Sequence, residues 1–356
     1  MKIFSDNIGR RRFISLSSMA LGAGIIANQS DLVFAAEGSH QGGPSQGQGG
    51  TSPGGGGTAS AQAKDDGTKY GKYIVLSQKS GPNERGSIPV VATLGNAIPG
   101  CDSMALIGRM PAKGSMTGHD SWERHDAPEY LIHLGNDPDD PMDLGADAEI
   151  YLGKGRWRER YAFNKTTAVY LPAGLPHCPW HVSNIRKNMT FVNLMVGRTW
   201  WGDNDQSTEV LSKEELAKAK ISGYIFDKYM LSGVGKDVKD PKGGKMLACT
   251  DSTKIASAPL TRIIRYNPEG APYSIFDTQT HEYATFIIFL GMDEDDASVL
   301  GADVELCMGE EKERHAFNKS ALVWVPPNLK HGPLKVTKAT KPFNFLEVVL
   351  GPELPA

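Results

Sequence analysis

Cysteine is scarce: four residues in 356, Cys101, Cys178, Cys249 and Cys307, with no CxxC pair and no matching places in the repeat that organises the chain. A zinc ribbon and a dense disulfide framework are thereby excluded, leaving one disulfide or buried free thiols. Positive charge is not in excess either. With 38 Lys and Arg against 41 Asp and Glu and a formal net charge of −3, the chain offers no clustered basic surface, and no nucleic-acid partner is expected. The mildly apolar stretch at residues 16–27 is short and diluted with Ser and Gly. It does not suit a membrane span, which needs about 20 apolar residues. A Gly-rich phosphate loop, a G-x-S-x-G elbow and an HExxH helix are all missing, which argues against nucleotide chemistry and hydrolysis by those routes.

What the chain does contain is itself, twice. Leu144-Gly145-Ala146-Asp147-Ala148-Glu149 recurs as Leu300-Gly301-Ala302-Asp303-Val304-Glu305 at an offset of 156, and Ala162-Phe163-Asn164-Lys165 recurs as Ala316-Phe317-Asn318-Lys319 at an offset of 154. A two-residue deletion near Lys154 to Arg158 accounts for the difference. Each copy spans about 130 residues, the size of an independent domain rather than a solenoid unit. The copies are placed at residues 71–200 and 222–351, starting at the related stretches Gly71-Lys72-Tyr73-Ile74 and Ser222-Gly223-Tyr224-Ile225. The 40% of hydrophobic residues is ample for two cores.

Within the copies, apolar runs are short, rich in β-branched and aromatic residues, and punctuated by Gly, Pro, Asn and Asp. Ala168 to Leu171, Phe191 to Val196, Phe286 to Leu290 and Leu322 to Val325 are examples. This spacing predicts an all-β antiparallel sandwich or barrel in each copy. One helical signal, Ser212 followed by Lys213-Glu214-Glu215 and residues 216–220, falls in a connector at 201–221.

The chain begins with Gly9-Arg10-Arg11-Arg12-Phe13 ahead of the apolar stretch, and Val33-Phe34-Ala35 ends it with a small residue. This segment, 1–35, resembles a twin-arginine signal peptide. The resemblance implies export of the folded protein by the Tat translocase to the periplasm or beyond. Export after folding suits a protein that acquires a metal first. Residues 36–70, rich in Gly, Ser, Gln and Thr, read as a flexible linker.

Candidate chemistry lies in copy one. In the stretch from Glu123 to Gly135, strand alternation would put Glu123, His125, Ala127, Glu129, Leu131 and His133 on one face. Pro172-Ala173-Gly174-Leu175-Pro176-His177 adds a turn and another imidazole. Imidazole with carboxylate suits a divalent metal ion, Mn, Fe, Zn or Ni, and a small ligand set leaves positions for substrate. His119, His133 and His181 are lesser candidates for groups behind the ligands or facing substrate. These residues resemble the two motifs of the cupin superfamily: His125, Glu129 and Gly135 match the second His, the Glu and nearly the Gly of the first, and Pro172, Gly174 and His177 match the Pro-x-Gly-x-x-His of the second. Where the family has its first His, this chain has Glu123. The ligand set is then His125, Glu129 and His177, with or without Glu123 as a fourth donor.

Duplicated, the resemblance is to a bicupin: two tandem double-stranded β-helix (jelly-roll) barrels. In copy two, His281 and His331 correspond to His125 and His177, but Gln279 and Thr285 replace Glu123 and Glu129, a poorer metal site. Packing support for copy one is the expected role. The resemblance implies a metal-dependent enzyme of dioxygenase, decarboxylase, lyase or isomerase type acting on a small polar or aromatic molecule. Glu129 or Glu123 would be general base where not a ligand. A non-catalytic binding or accessory protein is the alternative. A homo-oligomer is compatible with the sequence. Two further features read as structural: the acidic loops at Asp137 to Asp140 and Asp293 to Asp296 lack calcium-loop spacing, and Trp200-Trp201 at the junction suits packing.

Overall fold

The strand Glu129–Gly135 is buried at every position, which a half-exposed sheet would not require. Its two faces meet different cores. Leu131 packs inside the first barrel, whereas Tyr130, Ile132 and Leu134 point into a cluster shared with Phe286, Ile288 and Leu290 of the second. A continuous apolar run is therefore a strand wedged between a barrel interior and a barrel–barrel interface.

The computed structural model describes residues 62–63, 67–83, 86–93, 97–113, 116–119, 122–197, 225–234, 238–251, 253–255, 258–269 and 271–351. The signal segment, most of the linker, the helical connector and Trp200-Trp201 lie outside the described residues. The rest is all-β. In the first barrel a six-stranded sheet, ordered Met230–Leu231, Thr167–Leu171, Glu129–Gly135, Met189–Met195, Met104–Met110, Ile88–Thr93, faces a four-stranded one, Met116–His119, His177–Ser183, Asp143–Leu152, Glu159–Lys165. The second repeats this plan. A seven-stranded sheet, Gln62–Ala63, Ile74–Leu76, Ala321–Val325, Thr285–Gly291, Phe343–Val349, Leu260–Tyr266, Gly244–Thr250, faces Tyr273–Phe276, His331–Ala339, Val299–Met308, Glu313–Lys319. All strand pairs within the sheets are antiparallel. The two-residue offset lies in the turn after Leu152, where a 3-10 segment, Gly155–Trp157, lengthens copy one.

The copies exchange their first strands. Ile74–Leu76, at the start of copy one, pairs with Ala321–Val325 of the second barrel, and Met230–Leu231, near the start of copy two, pairs with Thr167–Leu171 of the first. Sheet membership thus crosses the boundaries drawn from the repeat. The shared core between the large sheets also holds Tyr170, Leu322, Trp324 and Val348. Each such large apolar side chain contributes roughly 1.5–3 kcal/mol by leaving water.

Two buried arginines tie the barrels reciprocally. Arg265 donates to the Gly135 carbonyl at 2.6 Å, the Asp137 carbonyl at 2.8 Å and Asn344 Oδ1 at 2.7 Å. Its counterpart Arg109 donates to the carbonyls of Gly291 and Asp293. Burial lowers both guanidinium pKa values to about 10 against the opposing pull of nearby aspartates, so both stay charged at neutral pH. The acidic loops are structural turns: Asp137 pairs with Lys187 and Asp293 with Lys341, while their backbones receive the arginines.

Candidate metal centre

A turn, a bridge and a strand end bring the first-copy donors together. Gly174, left-handed at φ +79, closes the turn in which Leu175 N–H donates to the Pro172 carbonyl at 3.0 Å. Glycine suits that conformation because it has no Cβ to clash. Gly174 N–H then donates to the His125 carbonyl at 2.7 Å, and Glu123 and His177 exchange two backbone hydrogen bonds of 3.1 and 2.9 Å. Glu129 opens the strand that runs to Gly135. The expectation of a single strand carrying Glu123 through His133 on one face is corrected here. The strand starts only at Glu129, Glu123 sits in an isolated bridge with His177, and Ala127 packs with Met104 and Met195 in a separate cluster. Pro128 and the turn contacts break the alternation, yet the donors still converge.

His177 Nε2 lies 3.2 Å from Glu129 Oε2 and 3.3 Å from Glu123 Oε1. His125 Nε2 lies 3.5 Å from Glu129 Oε2 and 3.9 Å from Glu123 Oε2. Ligand atoms of Glu123, His125 and His177 are all within 4.8 Å of one another. Among the described residues this is the group of three or more His, Cys, Asp and Glu side chains close enough to share an ion. Three of the four are almost wholly buried, His125 at 7%, Glu129 at 1% and His177 at 1% exposure, while the Glu123 side chain is 18% exposed.

The fit to a cation rests on atoms that the protein leaves unpartnered. His177 Nδ1–H donates to the Leu175 carbonyl at 3.0 Å, which turns Nε2 toward the carboxylates. That Nε2 and Glu129 Oε2 are both buried and lack hydrogen-bond alignment despite their approach, an arrangement converging on a point that either a proton or a cation can occupy. Buried polar atoms are costly when unmet. Burial by itself would depress the His177 imidazole, but Glu123 and Glu129 outweigh it and hold its pKa up at about 10. Without an ion, a proton therefore balances the two carboxylates. Two imidazoles and two carboxylates form a donor set for a divalent metal ion, with positions to spare in six-coordination.

The second barrel keeps the backbone of this arrangement without its carboxylates. Gln279 and His331 exchange backbone hydrogen bonds of 2.7 and 2.9 Å, and Asn328 N–H donates to the His281 carbonyl at 2.8 Å. His331 Nδ1–H donates to the Leu329 carbonyl at 3.0 Å. His281 Nε2 is instead 3.0 Å from Gln279 Oε1, and the fully buried Thr285 stands where Glu129 would. Burial, aided by His281 and opposed by the Leu329 carbonyl, lowers the His331 pKa to about 4. An imidazole pair with an amide replaces the acidic set.

His133 is not at the metal centre. Its ring is fully buried between Phe163, Trp180 and Phe191, and Nε2 accepts a 2.7 Å hydrogen bond from Trp180 Nε1. Burial lowers its pKa to about 3, against the backbone of Thr167 and Leu131. His181 lies on the outer register position opposite Glu149. The backbone of His119 ends the strand paired to Trp180. All four cysteines are free. The residue that sequence reasoning passed over is Cys178, whose thiol donates to Glu123 Oε1 at 3.3 Å; its adjacency to His177 was the available signal, but strand alternation pointed it away.

No family model matches the chain, and no curated protein matches it by sequence. Solved structures do. An arginine-to-alanine variant of Bacillus subtilis oxalate decarboxylase is 12% identical, with 96% of this chain and 88% of that chain covered and a TM-score of 0.50. A serine-to-alanine variant of the same enzyme is 12% identical at the same coverage, 96% and 88%, with a TM-score of 0.51. At this identity the likeness is one of fold, and it extends over both copies. The chain has the bicupin fold, two tandem cupin-type jelly-roll barrels.

Proposed function

We propose that the first barrel holds a divalent metal on Glu123, His125, Glu129 and His177 and that the protein is a metal-dependent enzyme acting on a small polar molecule, with decarboxylation of a small carboxylic acid as the leading reaction. The observation that carries this reading is the convergence of two imidazoles and two carboxylates, with buried, unpartnered donor atoms among them. The length-matched fold neighbours are oxalate decarboxylases, which supplies the first activity to assay. A bound divalent ion would contribute Lewis acidity. The chain's own residues would do the rest. His125 and His177 hold the site at its inner wall, and the apolar interior of Leu131, Leu152 and Leu171 excludes water below it. With all four side chains held as ligands, Glu129 stays buried and Glu123, the more exposed of the two carboxylates, would be the one that meets substrate.

The test is elemental analysis of the natively purified protein beside an assay for loss of carbon dioxide from small carboxylic acids. About one equivalent of Mn, Fe, Zn or Ni is expected, lost together with turnover in a folded His177→Ala variant. A metal-free, folded and inactive wild type would overturn the reading; a metal-loaded protein with no turnover would leave a binding module. Export by the twin-arginine route is a separate proposal, supported by Arg10, Arg11 and Phe13 in a signal-like context. It fits an ion acquired before translocation.

A further inference from the structure

Immediately after the second histidine of each site the two copies differ: Cys178 follows His177, and Gly332 follows His331. Both residues are left-handed, at φ +73 and +93. Glycine adopts this backbone freely, whereas a residue with a Cβ is penalised there. Copy two has no room for a side chain, since a Cβ on Gly332 would lie 2.2 Å from the Asp277 carbonyl oxygen. Copy one accommodates one at the same point and keeps it 1% exposed.

The conformation has a directional consequence. Successive side chains of a regular strand face opposite ways, so a residue next to inward-facing His177 should face out. The strand register shifts between His177 and Trp180, and with the left-handed backbone the Cys178 side chain returns to the side of the site. Its Sγ donates to Glu123 Oε1 at 3.3 Å, the oxygen that also approaches His177 Nε2 at 3.3 Å. Glu123 is the one donor of the four with substantial solvent access, hence the one with freedom to swing away.

We propose that Cys178 is a positioning residue of the first barrel: its buried thiol anchors Glu123 Oε1 and keeps that carboxylate turned toward His125 and His177. The inference rests on the metal reading of this site. It explains why a strained cysteine occurs in the copy that has the carboxylates and a glycine in the copy that lacks them.

The test measures Mn(II) affinity by calorimetry for the wild type, Cys178→Ala, Cys178→Ser and Cys178→Gly, with thermal unfolding of each metal-free protein. Loss of the thiol in the Ala variant is expected to weaken binding on the order of 10–100-fold, the usual effect of removing a partner behind a metal ligand. The Ser variant, which keeps a donor, restores most of the affinity. The Gly variant relieves the backbone and folds at least as well as wild type, yet binds as weakly as the Ala variant; a merely structural cysteine would not behave so. In the metal-free wild type the buried S–H stretch in the infrared is expected to move when Glu123 is replaced by Ala. Wild-type Mn(II) affinity in the Gly variant, or an S–H stretch indifferent to Glu123→Ala, overturns the role of Cys178 and leaves the metal reading standing. A wild type that takes up none of Mn(II), Fe(II), Zn(II) or Ni(II) overturns both.

Discussion

Replacing His133 by Phe puts into the first barrel's inner cluster the residue that the second barrel has at the equivalent place, where Phe289 stands against Phe317 and Phe345 with ring centroids 5.2 and 5.4 Å away, while Trp180 remains where the second barrel has Leu334. The shapes are close, so the cost is chemical. Trp180 Nε1 loses the acceptor it now holds at 2.7 Å, and a buried donor left unmet costs about 1–3 kcal/mol near neutral pH. In acid the balance reverses. The folded-state pKa of His133 is lowered from 6.5 to about 3, so below 6.5 the unfolded chain binds a proton that the folded protein refuses. The associated stability is complete above that value and falls as the pH drops toward 3, at about 1.4 kcal/mol per unit. Near pH 4.5 the wild type has lost about 3 kcal/mol through this residue, which the Phe variant does not lose. Urea unfolding of both proteins across this range should therefore give curves that cross, with the variant weaker at neutral pH and stronger in acid. His331, at about 4, contributes an equal acid loss to both and does not move the crossing. Parallel curves, or a variant no weaker at neutral pH, would refute the assignment of His133 as a buried, neutral acceptor.

Metal uptake should release a proton, because His177 in the ion-free site is held up at about 10; Mn(II) affinity then rises about tenfold per pH unit between about pH 6 and 8, and calorimetry in buffers of different ionisation heat would report the proton. The same raised pKa stabilises the metal-free fold fully below 6.5 and is lost as pH climbs toward 10, so the metal-free Tm should decline on the alkaline side relative to His177→Ala. His281→Ala is expected to leave the metal content unchanged, since the second barrel offers no carboxylate at the Glu129 position; a fall by half in elemental analysis would put a second ion there. Changing Arg10 and Arg11 to Lys should retain the precursor in the cytoplasm, as cell fractionation would show, and normal export would point to another route.

The gross plan was legible because repetition and binary pattern survive in sequence. Runs such as Leu322 to Val325 became strands, and the two-residue offset became a longer turn at Gly155–Trp157. The site residues were legible because each is a rare kind of residue at a motif position. Their mutual geometry was not. Reading Glu123 to His133 as one alternating strand expected the donors to share a face, whereas Pro128 and the Gly174 turn break that strand and bring Glu123, His125, Glu129 and His177 together through bridges. The strand exchange involving Ile74–Leu76 and Met230–Leu231 left no local signal either; which barrel a short apolar strand joins depends on which edge lies free beside it.

Sequence by itself determined the duplication, the β character, and which histidines and carboxylates in copy one are candidate donors, because periodicity and chemical type are properties of neighbours along the chain. Tertiary structure alone decided that Arg109 and Arg265 lock the barrels, that His133 is a packed acceptor for Trp180, and that Cys178 turns back toward Glu123. Each depends on the path of a distant backbone segment, and burial with an unmet hydrogen bond acquires its energy only once that segment has arrived.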